Sequence, residues 1–349
     1  MGHQPAFGVA PHTRAGAASG ENAAANSGQN MSRLVTVIPV YNGERFLRAT
    51  LDSVASQSHR PDRVIIQDNC STDATAKIAR EFESQGFEWR LNEAHISSTE
   101  NFNDALRYAE ETEVLHMLTA DDLIAPDFYE RLLEPLDSVK GRALAYSAFE
   151  VIGEDGVLLE GGDLANPFPV EPGAAVRVIP LDRFIASQAD LRTICLPAVL
   201  MKTNREPLPV TFSLDYIQCA DAVFYAELAS HCERIIEVPE ALCQYRRHEH
   251  TTTSRNKSQP AAVIADEWKA MCAASALLGK GGLSAWLWSF RQRCLLAGTS
   301  RVMIQGEPDA TAEYRAEVIR ATCEITGGFA WALGNLAVAL RDGFGQGRR

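Results

Sequence analysis

Short apolar segments alternate with amphipathic segments from residue 34 to residue 118, and this alternation restricts the fold more than any other feature. The first apolar segment, LVTVIPV at 34–40, is continuous and rich in Val and Ile, as in strands that are buried on both faces. A turn follows, and apolar residues then recur at helical spacing between 46 and 55. Strands that alternate with helices predict an α/β fold, with a mostly parallel, Rossmann-like sheet flanked by helices. The cycle continues with helices and with strands predicted at 63–67, 87–91 and 114–118.

The pattern changes twice along the chain and so predicts three parts. Residues 1–30 are rich in Ala and Gly and poor in large apolar side chains, which predicts a disordered tail, with Met31 as an alternative start. Residues 31–258 contain the alternating segments. Residues 259–349 have a helical pattern and predict a helical C-terminal region. Within the second part, two further strands are predicted at 143–160 and 192–203. A Gly- and Pro-rich surface loop is predicted between them, at 161–180.

Composition and charge exclude several classes of protein. The chain of 349 residues has 33 basic and 45 acidic residues, and its net charge of -12 argues against nucleic acid as a partner, because nucleic-acid binding needs a basic surface. No apolar run reaches the roughly 20 residues that span a bilayer, and the N-terminus lacks the pattern of a secretory signal. The eight cysteines form no CxxC pair and show no zinc-site spacing. We therefore expect a cytoplasmic protein with reduced thiols.

Polar clusters follow three of the predicted strands, at the edge of the sheet where ligands of such folds bind. Taken singly, each has a structural interpretation: Asn42 can cap the next helix, Asp68 can brace a turn, and Asp122 can cap a later helix. Their coincidence at one edge favours a binding crevice. The three clusters lie at 39–44, 68–69 and 119–122.

Charged side chains in and beyond these clusters predict a site for a metal ion and a diphosphate. The adjacent carboxylates of Asp121 and Asp122 suit a hard divalent cation, with phosphate oxygens as further ligands. His248 is a further candidate ligand. A basic cluster in this acidic chain suits an anionic leaving group, although a solvated loop is the alternative. It consists of Arg246, Arg247, Arg255 and Lys257.

Four segments carry a specific combination of residues: VTVIPVYNGERFLRATLDSVASQS, VIIQDNCSTDATAKIA, NFNDAL and HMLTADDLIAPDFYERL. Together they resemble the glycosyltransferase family 2 enzymes of GT-A fold, and the resemblance extends over about 33–255. It implies an enzyme that binds a nucleotide-diphosphate sugar, with Mn²⁺ or Mg²⁺ as cofactor. It also implies transfer of the sugar, with inversion, to an acceptor hydroxyl, as in the assembly of cell-surface polysaccharides or other glycans.

The resemblance also implies roles for individual residues. Asp121 corresponds to the metal-holding acid of the family's Asp-x-Asp motif, and Asp68 would accept a hydrogen bond from the base of the donor. Arg246 and Arg247 would hold the diphosphate, and His248 would join Asp121 at the metal. The residues assigned to the donor nucleotide are Pro39, Tyr41, Asn42, Glu44, Asp68, Asn101 and Asp122.

The role implied for Asp68 predicts the base of the donor. A carboxylate can only accept hydrogen bonds, so it favours a base with a single N–H on its pairing edge, as in uracil or thymine. Cytosine has no N–H at N3, and a purine needs a longer slot than Tyr41 would leave. We therefore expect a UDP-sugar, with a dTDP-sugar next.

The chain departs from the family's pattern at two positions. Thr119 stands where the metal motif has its first acid, which weakens the metal site, and Ala220 stands where the family has Glu before Asp221. By that match Asp221 is the general base, with a helix-capping role as its alternative and with Asp215 as the second choice of base. A catalytically inactive nucleotide-sugar-binding protein is the alternative function. Other nucleotide enzymes are disfavoured because the GxGxxG and Walker lysine loops are missing.

The acceptor is not encoded in a readable motif. A glycan or a lipid-linked acceptor agrees with the resemblance, and the 161–180 loop and the helical C-terminal region are expected to shape its site. Residues 325–340 are uncharged and are followed by Arg341. The last helix is therefore expected to pack onto the catalytic domain, with peripheral contact at the inner face of a membrane as the alternative.

Overall fold

The computed structural model describes residues 34–159, 175–249, 251–256, 258–306 and 310–345. Several features predicted from the sequence lie outside the described residues: the 1–30 tail, Met31, most of the 161–180 loop, Lys257 and the two final arginines.

The described residues form one nine-stranded sheet with helices on both faces and a helical C-terminal region. The strands are β1 Leu34–Val40, β2 Arg63–Asp68, β3 Phe87–Leu91, β4 Val114–Met117, β5 Leu123–Ile124, β6 Ala143–Ile152, β7 Arg177–Ile179, β8 Val199–Lys202 and β9 Arg234–Arg246. The helices are α1 Leu47–Ala55, α2 Thr75–Glu81, α3 Ser98–Leu106, α4 Phe128–Asp137, α5 Leu181–Ala189, α6 Ala220–Ala229, α7 Thr252–Asn256, α8 Pro260–Ala276, α9 Gly282–Gly306, α10 Ala312–Thr326 and α11 Gly328–Gly345.

The sheet is parallel in its first half and mixed in its second. Its order is β3-β2-β1-β4-β8-β6-β9-β5, with β7 also paired to β9. The strands β3, β2, β1 and β4 are parallel, as expected from strands joined by helical crossovers. By contrast β8 is antiparallel to both β4 and β6, and β5 and β7 are antiparallel to β9. Strands β6 and β9 are again parallel, so the predicted α/β fold with a Rossmann-like sheet is confirmed, and the antiparallel strands β5, β7 and β8 are added to its second half.

Strand β1 lies at the centre of the fold and is buried along its whole length. Its residues alternate between two hydrophobic cores, since Leu34 and Ile38 pack on the side of α1 and α4 while Val35 and Val37 pack on the side of α3 and α6. This period of two is that of a strand covered on both faces. The carboxyl ends of β1, β2 and β4 consequently open at one edge of the sheet.

Two predicted strands are shorter than expected. The strand predicted at 143–160 ends at Ile152, because the chain turns at 153–157, where the N–H of Gly153 donates to the carbonyl of Val157 at 2.8 Å. The strand predicted at 192–203 comprises only β8. A short 3₁₀ turn at Leu196–Ala198 precedes it, and Pro197 in that turn has no N–H to donate to a strand neighbour.

The helical C-terminal region packs onto the α/β part of the chain through α8. Ala270 of α8 packs with Cys219 and Val223, and Ala274 packs with Ile185 of α5. Helix α11 packs against α9 and α10. Within the described ranges, no helix combines the length and the apolar character that a membrane crossing needs.

Candidate active site

The predicted metal ligands Asp121 and His248 meet at the edge of the sheet. Asp121 lies in the turn after β4, and His248 follows the last residue of β9. His248 Nε2 is 2.9 Å from Asp121 Oδ2, and the His248 ring lies 4.8 Å from that of Phe46, just before α1. The carboxylate side chain is 30% exposed and the imidazole side chain 9%, so one side of the pair remains accessible.

Asp122, assigned from the sequence to the donor nucleotide, is instead bound inside the protein. One oxygen of its buried carboxyl accepts the N–H of Arg246 at 2.6 Å, and the other bonds the hydroxyl of Thr119. Burial, and next the charge of Asp121, raise the pKa of Asp122 well above its usual range. The residue therefore anchors the Asp121 turn to β9. It caps no helix either, because α4 begins after Asp127.

The two arginines of the predicted diphosphate site differ in position. The buried guanidinium of Arg246 donates from Nε to the carbonyl of Asp121 at 2.8 Å, and from Nη1 to the carbonyls of Gly153 and Glu154. This side chain thus holds the backbone of the Asp121 turn and of the 153–154 turn, and these donors are not available to a ligand. Arg247, one residue later, is exposed. It is the arginine of the pair that can approach a diphosphate.

Asn42 and Glu44 connect the loops that follow β1 and β2. Asn42 Oδ1 accepts the N–H of Thr72 at 2.8 Å, and the N–H of Asn42 donates to Ser71 Oγ at 2.9 Å. Glu44 Oε2 accepts the N–H of Ala74 at 2.9 Å. Asn42 has φ of 50°, in the left-handed region that Asn tolerates better than most residues. Its side chain holds the neighbouring loop, and α1 has no side-chain cap at its N-terminus.

Asp68 at the end of β2, Pro39 in β1 and Asn101 in α3 are all buried. Asp68 Oδ1 accepts the N–H of Ser71 at 2.8 Å, and Oδ2 accepts the indole N–H of Trp89 at 3.2 Å, so the turn-bracing interpretation describes this geometry. Pro39 lies in β1 beside β2. Asn101 Oδ1 accepts amide N–H groups of Gln67 and Asn92, both at 2.9 Å. Asp68 is fully buried, so a nucleotide reaches its carboxylate only if the side chains that cover it move.

An aromatic pair covers the same edge of the sheet. Tyr41 is 47% exposed, and its ring lies 4.3 Å from that of His95. His95 Nδ1 is 3.0 Å from the carbonyl oxygen of Asn69 in the loop after β2. The sequence analysis missed His95, although it follows β3 as the predicted clusters follow their strands. The exposed ring of Tyr41 offers a surface on which a base can stack.

The two candidate bases have different environments. Asp221 lies in the first turn of α6 and is half-buried, and desolvation raises its pKa to about 6. Asp215 has a side chain 80% exposed, with Lys269 Nζ 3.8 Å away. Asp221 therefore has the environment of a general base, and Asp215 that of a solvated ion.

The Asp121–His248 pair offers one oxygen and one nitrogen ligand. Among the described residues there is no group of three or more His, Cys, Asp or Glu side chains that could hold a metal by itself. A carboxylate with an imidazole suits Mn²⁺, provided that oxygens of a bound diphosphate supply further ligands. The donor set therefore fits a metal that binds together with a nucleotide.

Residues 36–159 match the model of glycosyl transferase family 2. The matched segment contains the loops after β1, β2 and β4, with Tyr41, Asp68 and Asp121. This segment belongs to glycosyl transferase family 2. Asp221 on α6, and Arg247 and His248 just after β9, lie beyond the family 2 match.

Curated relatives align with about a third of the chain. GlyA of Streptococcus pneumoniae, a glycosyltransferase, is 28% identical over 30% of this chain and 15% of its own length. TuaG of Bacillus subtilis, named as a glycosyltransferase of teichuronic acid biosynthesis, is 30% identical over 38% of this chain and 52% of its own. Rv1520 of Mycobacterium tuberculosis is 34% identical over 33% of this chain and 35% of its own. The chain spans about half the length of TuaG and less of the other two.

Solved structures extend the likeness beyond the family 2 segment. TarS of S. aureus, in complex with UDP-GlcNAc, has a TM-score of 0.55 and 17% identity, covering 86% of this chain and 83% of that one. The mannosyltransferase PcManGT of Pyrobaculum calidifontis, with GDP-Man and Mn²⁺, has a TM-score of 0.51 and 14% identity, covering 89% and 86%. These similarities show that the described α/β part has the GT-A fold.

Proposed function

We propose that the protein is an inverting glycosyltransferase, which moves a sugar from a nucleoside-diphosphate donor to an acceptor hydroxyl in polysaccharide or glycan assembly. One observation carries the proposal: the Asp121 carboxylate and the His248 imidazole, 127 positions apart in the sequence, meet as an accessible pair at the edge of a GT-A sheet. A second group, the Asp221 carboxyl in the first turn of α6, has its pKa raised to about 6 by desolvation. The first would hold a donor diphosphate, and the second would activate the acceptor.

The residues divide the chemistry between them. An acceptor hydroxyl has too high a pKa to attack unaided, so the Asp221 carboxylate takes its proton as the new bond to the anomeric carbon forms. The departing nucleoside diphosphate gains negative charge, which Arg247 can stabilise from the surface. Asp121 and His248 would hold Mn²⁺ or Mg²⁺, which supplies further charge stabilisation when bound.

The donor proposed is a UDP-sugar. Tyr41 gives a base an exposed ring to stack on, and Asp68 would read a single N–H if a bound base replaced Trp89 or Ser71 as its partner. TarS binds UDP-GlcNAc and PcManGT binds GDP-Man, so the GT-A fold accommodates both pyrimidine and purine nucleotides. A panel that includes UDP, dTDP, GDP and CMP is therefore the appropriate first test.

We place the acceptor beside an anionic membrane, at the cytoplasmic side, on what we call the aromatic face of α9 and α11. Its three rings form two stacked pairs that share Phe290, with centroids 5.9 Å apart in each pair, and the same two helices carry exposed leucines. Helix α9 contains three arginines and no acidic residue, although the chain as a whole is acidic. Aromatic side chains with cations are the composition of an interfacial surface. The aromatic face consists of Trp286, Phe290, Phe329, Leu283, Leu333 and Leu336.

The direct experiment is a transfer and donor-hydrolysis assay with purified protein and UDP-sugars, in Mn²⁺ and in EDTA. Turnover that needs Asp221 supports an enzyme. The second candidate function, a nucleotide-sugar-binding protein without catalysis, is favoured by Thr119 and Ala220 at two motif positions. Tight donor binding with no turnover of any donor, under all conditions, would favour that second function.

A further inference from the structure

Asp266 of α8 binds the segment that leads into α6. Its side chain is buried, at 6% exposure, and its two oxygens accept three backbone N–H groups. Oδ1 accepts from Ile217, and Oδ2 accepts from Gln218 and Cys219, each at 3.0 Å. Helix α6 begins at the next residue, and its own N-cap residue contributes no side-chain hydrogen bond. The entrance to α6 is therefore held from the helical region, across 47 to 49 positions of sequence.

We propose that Asp266 is a positioning residue for Asp221, and so for the proton transfer in the proposed sugar transfer. Asp221 lies two residues beyond Cys219, the last residue that Asp266 holds. Hydrogen bonds to a carboxylate are stronger than bonds between neutral groups, and three of them to one buried side chain leave the 217–219 backbone little freedom. The inference rests on the proposed role of Asp221 as the general base.

Two further contacts from the helical region hold the same segment. Asn256 of α7 donates from Nδ2 to the carbonyl of Ile217 at 3.0 Å, and Lys269 of α8 donates from Nζ to the carbonyl of Asp215 at 3.1 Å. Ala270, one turn beyond Asp266, packs against Cys219. The 215–219 segment is thus held through its backbone N–H groups and through its backbone carbonyls. Helices α7 and α8 therefore hold the backbone that leads to the proposed base.

The charge of Asp266 also acts on Asp221. It adds to desolvation in raising the pKa of Asp221. The other titratable groups that interact with Asp221 are Cys195, which precedes β8, Cys219, which precedes α6, and Tyr225 on α6 itself. Cys219 and Glu267 adjoin Asp266. Among these groups only Asp266 both bonds the 217–219 backbone and raises the pKa of the base, so its removal has two separable consequences.

The test compares Asp266→Asn with Glu267→Gln. Glu267 is the neighbouring buried acid on α8, and its Oε2 has no hydrogen-bond partner in the part of the chain that the structure describes. We expect Asp266→Asn to lower kcat by about 10- to 100-fold, since small misplacements of reacting groups have effects of this size. The Kd for UDP and the KM for the UDP-sugar should stay within about twofold, and the acidic limb of the kcat profile should move to lower pH. Glu267→Gln should leave kcat, KM and the profile unchanged.

Several outcomes overturn the inference. The first is a wild-type kcat in Asp266→Asn. The second is a lower kcat in Asp266→Asn with an unchanged pH profile. The third is an equal loss of kcat in Glu267→Gln. If Asp266→Asn does not fold, Asn256→Ala provides the test, because it removes one bond to the same segment from a less buried position. It should lower kcat several-fold at unchanged KM, and an unchanged kcat would contradict the proposal. Asp221→Asn is measured in parallel, to distinguish failure of the Asp266 proposal from failure of the Asp221 proposal. Turnover that persists in Asp221→Asn would refute Asp221 as the base.

Discussion

His248 Nε2 lies 2.9 Å from Asp121 Oδ2, although 127 positions separate the two residues in the sequence. The contact joins the turn after β4, inside the family 2 segment, to the end of β9 outside it. It brings together the two predicted metal ligands, although Thr119 replaces the first acid of the motif.

We expect a divalent metal to strengthen nucleotide binding through this pair. Mn²⁺ should raise the affinity for UDP by about 10-fold, equivalent to about 1.4 kcal/mol, and Asp121→Ala should remove the increase. Isothermal titration with UDP in Mn²⁺ and in EDTA measures both effects. Asp127→Ala is the matched control, because that carboxylate lies nearby at the start of α4 without a side-chain capping bond. An affinity that EDTA leaves unchanged in the wild type would show that the diphosphate is held without metal.

Asp221→Asn should abolish sugar transfer while donor binding stays within a few-fold of wild type. The substitution removes a base without changing volume, and loss of a general base lowers kcat by about 10²- to 10⁴-fold. Its Tm at pH 7 should not fall, because a neutral amide replaces a carboxylate that is ionised against desolvation. Asp215→Asn is the control. Near-normal turnover in Asp221→Asn, with loss in Asp215→Asn, would transfer the role to Asp215.

The rate of transfer should fall below about pH 6. Desolvation raises the folded-state pKa of Asp221 from 3.8 to about 6, so the carboxyl is protonated, and inactive as a base, below that pH. Well below the pKa, kcat should decrease about tenfold for each pH unit. A kcat profile from pH 4.5 to 8, with donor saturating, measures this. A profile that stays flat down to pH 4.5 would contradict the assignment, provided that circular dichroism shows the protein to be folded.

UDP should displace the donor more strongly than GDP or CDP does. Tyr41→Ala should weaken UDP binding by about 1–3 kcal/mol through loss of stacking, and Asp68→Ala should reduce both the affinity and the preference for UDP over CDP. Tyr314→Ala in α10 is the aromatic control. Stronger competition by GDP or CDP than by UDP would refute the role carried over to Asp68, and would agree with its observed bonds to Ser71 and Trp89.

The aromatic face should bind anionic vesicles. In flotation assays the protein should associate with vesicles that contain phosphatidylglycerol and not with phosphatidylcholine alone, and raised salt should weaken the association. Trp286→Ser with Phe329→Ser should reduce binding by about 10-fold or more, since each buried ring contributes about 1.5–3 kcal/mol. Leu214→Ser, at an exposed leucine outside the aromatic face, is the control. Equal flotation of the double variant and the wild type would exclude this face.

The sequence alone predicted the α/β units of the first half, the edge of the sheet that carries the site, and the family. These are properties of local pattern, because strand and helix periods are written in consecutive residues and the motif loops directly follow their strands. The match over 36–159 confirms the family for that segment, and the parallel strands β1 to β4 confirm the α/β units, while the location of the site stays a prediction.

Only the tertiary structure decided which polar residues face the crevice and which support it. Asp122 and Arg246 look like ligand-binding groups in the sequence, yet each is buried by partners more than 90 positions away. Asp266 belongs to no recognisable motif, yet its carboxylate binds the backbone N–H groups of the three residues before α6. The physical reason is that a buried charge must find its hydrogen bonds wherever the fold brings donors and acceptors together. Such pairings are long-range, and no period or spacing along the chain records them.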